Sequence, residues 1–252
     1  MTPSADEGDD MCGRIALYTP PARLARLLDA AVAAGVDTDA LPSWNVGPQR
    51  TLFGVADRGE GRILDEYRWG LVPWWAQDAA VGNRSFNARA ETAATKPSFR
   101  DPFRTQRLAV PVDGFFEWDR RGGSKAPHFF TRVDDSPIVL AGLYDRWRDP
   151  AGPKDAPKLQ SCTVLTTTPG PDMDGIHDRM PVVLEADAID VWLTAGEDEE
   201  DAVRALCAPA AKGTLVHHQV GAAVGNVRND SPELIEAIAP AAPRRLFEDL
   251  GE

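Results

Sequence analysis

Apolar and polar positions follow two rhythms along this chain of 252 residues. Leu24, Leu27, Leu28, Ala31 and Val32 recur at the i, i+3, i+4, i+7, i+8 spacing of a helix with one buried face, opened by Pro21 and stopped by Gly35. A short extended piece over 14–18 precedes it. From residue 51 the pattern changes to short, apolar, β-prone runs broken by Gly, Pro and Asp, over 51–56, 63–69, 108–118, 128–132 and 138–143. The cluster Arg120-Arg121-Gly122-Gly123 predicts a hairpin connection. Strands over 162–168 and 182–184 follow, then acidic amphipathic helices over 186–194 and 199–207 and a short closing helix over 232–238. Strands in meander order with helices at intervals predict an α+β fold, a single domain around a curled, mostly antiparallel sheet. Residues 1–10 have almost no apolar content and are expected to be disordered, 11–238 form the domain, and 239–252 trail from it as a tail.

Composition narrows the class without naming a function. Hydrophobic residues make up 43% and charged residues 26%, as in an ordinary globular protein. No apolar run approaches the roughly 20 residues of a membrane span. The acidic N-terminus is the opposite of a signal peptide, so a cytoplasmic location is expected. Cys12, Cys162 and Cys207 are too few and too scattered for a disulfide framework or a zinc site. The four histidines, His128, His177, His217 and His218, show no metal-ligand spacing with them, and His217 and His218 face opposite ways on a strand. No metal or cofactor is expected.

The formal net charge of −12 weighs against binding nucleic acid, because phosphate contacts need Lys and Arg. Its distribution changes that picture. Between Arg68 and Arg107 lie seven basic residues (Arg68, Arg84, Arg89, Lys96, Arg100, Arg104, Arg107) and three acids (Asp78, Glu91, Asp101), a net of +4. Much of the acid sits elsewhere, in 6–10 and 197–201.

Seven short runs are too polar or too aromatic for plain core or loop. They are Met11-Cys12-Gly13-Arg14, Trp44-Asn45-Val46-Gly47-Pro48, Trp69-Gly70-Leu71-Val72-Pro73-Trp74-Trp75, Phe86-Asn87-Ala88-Arg89-Ala90-Glu91-Thr92, Gly114-Phe115-Phe116-Glu117-Trp118, Ile176-His177-Asp178-Arg179-Met180-Pro181 and Val224-Gly225-Asn226-Val227. In this order they resemble the SOS response-associated peptidase (SRAP) family, which includes abasic-site shielding proteins, over about 11–231. The resemblance implies a barrel-like core with flanking helices. It also implies a monomer that acts at abasic sites in single-stranded DNA or at single-to-double-strand junctions, associated with the nucleoid on damage.

Each residue has a plain reading beside the functional one. Cys12 alone reads as a small buried thiol. Beside a free α-amine it has other chemistry. An abasic site exposes an aldehyde when its sugar ring opens; a neutral amine attacks that carbon to give an imine, and the adjacent thiol closes a five-membered thiazolidine. Only an N-terminal cysteine has both groups on adjacent carbons, and an α-amine with a reference pKa of about 7.7–8.0 is substantially neutral near pH 7.5. The resemblance implies that this cysteine follows the initiator Met. Here eleven residues precede Cys12, so either the start belongs at Met11 or the leader is cleaved, by the protein itself or otherwise.

Glu117 sits among aromatic residues, where desolvation raises a carboxyl pKa towards a range that suits proton transfer; its plain reading is a solvent-facing strand acid. By resemblance it assists imine formation and ring closure. His177 follows a Gly- and Pro-rich loop and by resemblance protonates the sugar ring oxygen; alone it reads as a structural hydrogen-bonder. Asn87, otherwise a turn residue, by resemblance holds the cysteine and the aldehyde together. The DNA side rests on Arg14, Asn45, Trp74, Trp75, Arg89, Thr166 and Arg179. Tandem tryptophans after Pro73 are poor core residues, and exposed indoles stack on bases while arginines clamp phosphates. Thr166 enters by its distance from His177. Two other classes fit the residue types: a cysteine peptidase or amidohydrolase with Cys12, His177 and Asn87, and a non-covalent single-strand binding module.

Overall fold

The longest apolar stretches become a closed barrel. The computed structural model describes residues 13–119, 121 and 125–238; the leader 1–10, the tail, Cys12 and most of the anticipated hairpin tip lie outside the described residues. Strands β4 (Thr51–Asp57), β5 (Arg62–Trp69), β7 (Arg107–Val112), β10 (Ile138–Trp147) and β11 (Leu159–Thr167) hydrogen-bond in the order β5-β4-β7-β10-β11, all antiparallel. A parallel pairing of β11 with β5 (Ser161↔Arg68, Cys162↔Trp69) closes the ring. The closing seam covers two residue pairs, and beyond it the edges of β5 and β11 are taken by short strands. Two short strands add to this sheet, β2 (Ala31–Val32) beside β5 and β12 (Met180–Pro181) beside β11, and β6 (Asn87–Arg89) runs parallel to β11.

A second sheet has the order β13-β9-β8-β1-β3, from β13 (Leu215–Gln219), β9 (Ala126–Arg132), β8 (Gly114–Asp119), β1 (Ile15–Leu17) and β3 (Ser43–Val46). Antiparallel pairing of β8 with β9 is the outcome expected of a hairpin around 120–123. The anticipated strand over 108–118 is two strands, because the chain turns at Asp113. Its buried carboxylate accepts hydrogen bonds from the N–H groups of Tyr18 (2.6 Å) and Thr19 (2.7 Å) and from the Thr19 hydroxyl (2.5 Å), which fixes the chain between the two sheets. Gly114 follows because an added Cβ would lie 2.3 Å from the Phe129 ring and 2.6 Å from the Phe130 carbonyl oxygen.

Alternation along the barrel strands yields two apolar clusters. One includes Val55, Leu64, Ala109, Ala141 and Leu165 and is covered by the helices α1 (Pro21–Leu27), α3 (Arg100–Thr105), α4 (Ile189–Thr194) and α5 (Glu200–Ala205). The other joins Leu52, Trp69, Val110, Leu140 and Val164 to Ile15, Phe115 and Phe130 of the second sheet. Among the described residues no helix is long and apolar enough to cross a membrane.

Two expected elements take another form. Helix α1 ends at Leu27, Asp29 adopts a left-handed φ of 49°, and Ala31–Val32 pair with Ile63 and Leu64 instead of extending the helix. Leu27, expected on the buried face, is 51% exposed. Residues 232–235 form a 3₁₀ turn rather than an α-helix.

Candidate functional site

The second sheet positions Glu117 among the residues singled out in the sequence. In the β1–β8 ladder Ile15 pairs with Phe115, and the Phe116 N–H donates to the Arg14 carbonyl (2.9 Å). Continued by two residues, this register sets Gly13 opposite Glu117. On the other side of β8, Glu117 pairs with His128 of β9. Directly paired residues share a face, so position 13, Glu117 and His128 form one rung across the sheet. Glu117 is only 1% exposed, which excludes the solvent-facing reading of this acid. Cys12 is bonded to Gly13 and lies outside the described residues.

A second set of residues reaches the rung from the barrel. An ideal Cβ at Gly13 would stand 3.9 Å from the Phe86 ring. Phe86 is fixed by its carbonyl, which accepts from Trp69 Nε1–H (2.9 Å) and the Val164 N–H (3.0 Å). Asn87 is the next residue, held at the start of β6 by pairing with Val164. Two rungs further along, Arg89 pairs with Thr166, which pairs in turn with Pro181 of β12. Arg179, one residue before β12, donates from Nη2 to the Thr166 carbonyl (2.7 Å) and hydroxyl (3.3 Å). It also grips Glu91 with both terminal nitrogens (2.5 and 2.8 Å), and this hydrogen-bonded guanidinium holds the Glu91 carboxyl below its ordinary pKa.

His177 is nearly buried, with 8% side-chain exposure. Its Nδ1 lies 3.2 Å from the Arg179 N–H and 2.8 Å from Asp178 Oδ1. One ring nitrogen serves only one of these at a time. Without a proton it accepts from Arg179; with one it donates to Asp178. The ring therefore has a partner at Nδ1 whether or not that nitrogen carries a proton.

The residues assigned to DNA contact divide into two kinds. Trp74 and Trp75 are 60% and 44% exposed. They are the central residues of a turn closed by the Ala76 N–H on the Pro73 carbonyl (2.9 Å), which points both rings outward. The turn is anchored from behind. Buried Asp145 accepts the Trp74 N–H (2.8 Å), Trp147 Nε1–H donates to the Ala76 carbonyl (2.7 Å), and the Val72 N–H donates to Ser161 Oγ (2.8 Å). Arg89, on β6, is exposed as well.

Asn45 and Thr166, by contrast, are buried. Asn45 Nδ2 donates to the carbonyls of Val224 (3.3 Å), Asn226 (3.1 Å) and Asn229 (2.7 Å), and its Oδ1 accepts from Arg14 Nη1 (2.8 Å). Arg14 also donates to the Val224 carbonyl (2.6 Å), and its burial lowers its pKa from the ordinary arginine value. Asn45 thus fastens the 224–229 segment and aims Arg14. Thr166 likewise acts by holding Arg179. Asn45, together with Val227 and Arg228 of that segment, lines an open groove of about 890 Å³ that also takes in Ser43, Gln49 and Arg50.

The basic stretch divides the same way. Arg107 is buried and donates to the carbonyls of Trp192 (2.5 Å) and Phe103 (2.9 Å), and Arg104 pairs with Glu197, so neither offers charge to a phosphate. Arg84, Arg89 and Lys96 remain at the surface. Sequence reasoning passed over Glu91, Asp145 and the His128–His217 pair. Glu91 carried a signal, as one of only three acids in a basic run. Asp145 and the histidines carried none, because their partners are 71 and 89 residues away in the chain.

The chain is similar to known proteins in sequence and in fold. Residues 11–227 match the family model described as SOS response associated peptidase (SRAP). The chain is 38% identical over 197 residues to the abasic site processing protein YoqW of Bacillus subtilis, which spans 78% of this chain and 86% of that protein. It is 31% identical over 276 residues to the abasic site processing protein HMCES of Gallus gallus, covering 94% and 80% of the two chains. A solved structure from Bacteroides thetaiotaomicron shares the fold with a TM-score of 0.80 at 22% identity, over 90% of this chain and all of that one.

Proposed function

This chain belongs to the SOS response associated peptidase (SRAP) family, and we propose that it acts on abasic sites in single-stranded DNA, capturing them covalently as a thiazolidine through Cys12. The observation that carries this reading is the β1–β8 register, whose continuation sets the residue bonded to Cys12 opposite the buried Glu117. The names of the relatives, abasic site processing proteins, supply the substrate class.

In the reaction the Cys12 α-amine attacks the aldehyde carbon. The carbonyl oxygen leaves as water after receiving two protons, both supplied in net terms by the amine. The thiol then adds to the imine carbon, and its proton ends on the ring nitrogen. The sum is aldehyde plus cysteine giving thiazolidine plus water. Each step moves a proton without consuming one, which is the work proposed for Glu117, while His177 protonates the sugar oxygen as the ring opens. Asn87, next to the fixed Phe86, orients the cysteine and the aldehyde. The Trp74–Trp75 turn stacks on bases and Arg89 faces the backbone phosphates; Arg14 and Arg179, positioned by Asn45 and Thr166, reach a phosphate by exchanging the contacts they make in the free protein, Arg179 its ion pair with Glu91.

The amine must be free, so the reacting form begins at Cys12. A chain starting there is expected to give a heat-stable adduct with an oligonucleotide carrying one abasic site, seen on a denaturing gel. The chain of residues 1–252 is expected to do so only after loss of its leader, read by intact mass. No adduct from either form overturns the covalent reading. Glu117→Gln keeps the side-chain size and removes proton exchange at neutral pH, so adduct formation is expected to slow by about 10²-fold, within the usual range of general acid–base catalysis. Its affinity for undamaged single strands, measured by fluorescence anisotropy, is expected to stay unchanged. A wild-type rate in this variant removes Glu117 from the chemistry.

A further inference from the structure

Beyond Glu117, on the same face of the sheet, lies a diagonal pair of histidines that the reaction as written does not use: His128 pairs directly with Glu117, and His217 pairs with Phe130 on the next rung. His128 Nδ1 and His217 Nδ1 are 3.0 Å apart, across the β9–β13 ladder, with their ring centroids 5.0 Å apart. His128 is half-buried and pairs with Glu117, whereas His217 is exposed. Its ring lies on Phe130 (4.8 Å between centroids), which stacks on Phe115 (5.0 Å) in the apolar cluster below. His218, its neighbour on β13, points the other way and meets the Ile235 carbonyl (2.8 Å). Buried acid, half-buried imidazole and exposed imidazole therefore follow one another across one face of the sheet.

We propose that the His128–His217 pair is the proton route between Glu117 and solvent, with both histidines acting as positioning residues for proton transfer by Glu117. This rests on the reading of Glu117 given above. A carboxyl that is 1% exposed has almost no surface of its own for exchange with bulk water, yet it must return to the same protonation state after each transfer. Directly paired strand residues have Cβ atoms roughly 4.5–5.5 Å apart, so an imidazole opposite a glutamate is in reach directly or through one water.

The hydrogen bond between the rings fixes the connectivity. One Nδ1 carries the proton and donates it to the other, which leaves Nε2 of His128 for the carboxyl and Nε2 of His217 for water. A proton accepted at one end is matched by one released at the other, and nothing is consumed. Phe130 and Phe115 form an apolar floor that closes the route off from the core.

The same contact limits how much charge the pair holds. Two Nδ1–H groups cannot face each other at 3.0 Å, so the second ring resists protonation. Burial and, for His128, the neighbouring His217 lower both histidines from their ordinary pKa. The other charged groups facing the pair are Asp119 and Arg121 at the end of β8, His218 on β13 and Asp172 in the turn over 171–173; the two carboxylates oppose the shift, and Arg121 and His218 add to it. A metal reading of the two rings finds no support, because among the described residues no three His, Cys, Asp or Glu side chains group as ligands.

The test follows adduct formation with saturating abasic single strand, using the chain that begins at Cys12, from pH 5 to 8. His128→Phe keeps a ring and removes both nitrogens; His128→Ala leaves room for added imidazole. Both variants are expected to form the adduct about tenfold more slowly, below the full effect of general acid–base catalysis because Glu117 remains. Affinity for undamaged single strand is expected to stay at the wild-type value. The rate of His128→Ala is expected to rise with imidazole concentration, while that of His128→Phe does not. His217→Phe should share the loss. Wild-type rates in the variants overturn the route, as does a loss that imidazole leaves untouched, since a structural defect is not repaired by a buffer base. Absence of adduct from the wild-type chain overturns instead the reading of Glu117 on which the route stands.

Discussion

In a chain that begins at residue 12, Cys12→Ser is expected to abolish the heat-stable adduct completely while leaving an adduct that borohydride can trap. The two outcomes separate the two nucleophiles. Serine keeps the α-amine, whose reference pKa of about 7.7–8.0 leaves a good fraction neutral near pH 7.5, so the imine still forms. The hydroxyl that replaces the thiol is a much poorer nucleophile near neutrality, so ring closure no longer protects the imine and it returns to aldehyde and amine on heating. Reduction converts the imine to a stable amine before that reversal. The wild-type chain needs no reductant. The rate of trapping in Cys12→Ser should also rise with pH through the amine pKa, because the neutral form attacks. A heat-stable adduct without reductant in this variant would show that the thiol takes no part. Loss of both kinds of adduct would place the reacting amine elsewhere, for example on a lysine.

How much of this was readable beforehand differs between fold and site. The meander of β-prone runs was legible because each run is several residues long and bounded by turn residues, and it leads to the barrel strands. The short strands were not. β6 is three residues, Asn87–Arg89, with two polar side chains, and it is a strand only because β11 offers a parallel edge to it. Ala31 and Val32 satisfy the helical spacing equally well, but the left-handed turn at Asp29 sends them to β5, and pairing overrides a propensity worth only tenths of a kcal/mol per residue. The division of β7 from β8 depends on Asp113, whose partners Tyr18 and Thr19 are remote in sequence.

Within the site, residue type was a good guide to exposure at only some positions. The tandem tryptophans announce an outward-facing turn because one turn cannot bury two indoles. Asn45 gives no such sign. Whether an asparagine meets a ligand or a set of backbone carbonyls depends on the 224–229 segment, nearly two hundred residues away, so its role as the clamp on Arg14 emerges only in three dimensions. The same holds for Arg104 and Arg107, whose charge counted towards the basic stretch and is spent on Glu197 and on buried carbonyls.

The Trp74–Trp75 turn has the largest expected effect on binding. Trp74→Ala and Trp75→Ala together are expected to weaken affinity for single strands by about 2–6 kcal/mol, or roughly 30- to 10⁴-fold, from about 1–3 kcal/mol for each stacked base. Little of this should be lost through unfolding, because both rings are largely exposed and the turn is held from behind by Asp145, Trp147 and Ser161 through Trp74 backbone and neighbouring atoms. That anchoring also argues for a full effect: a turn already fixed in its binding shape gives up little conformational entropy when bases stack on it. Salt provides the control. Tryptophan releases no counterions, so the double variant should bind more weakly at every salt concentration with the same slope of log affinity against log salt. Arg89→Ala should instead flatten that slope, by about 0.7 for each lost contact to a single-strand phosphate. Equal affinity in the tryptophan variant would remove the stacking platform. A change in its salt slope would mean that the two rings position the arginines rather than the bases.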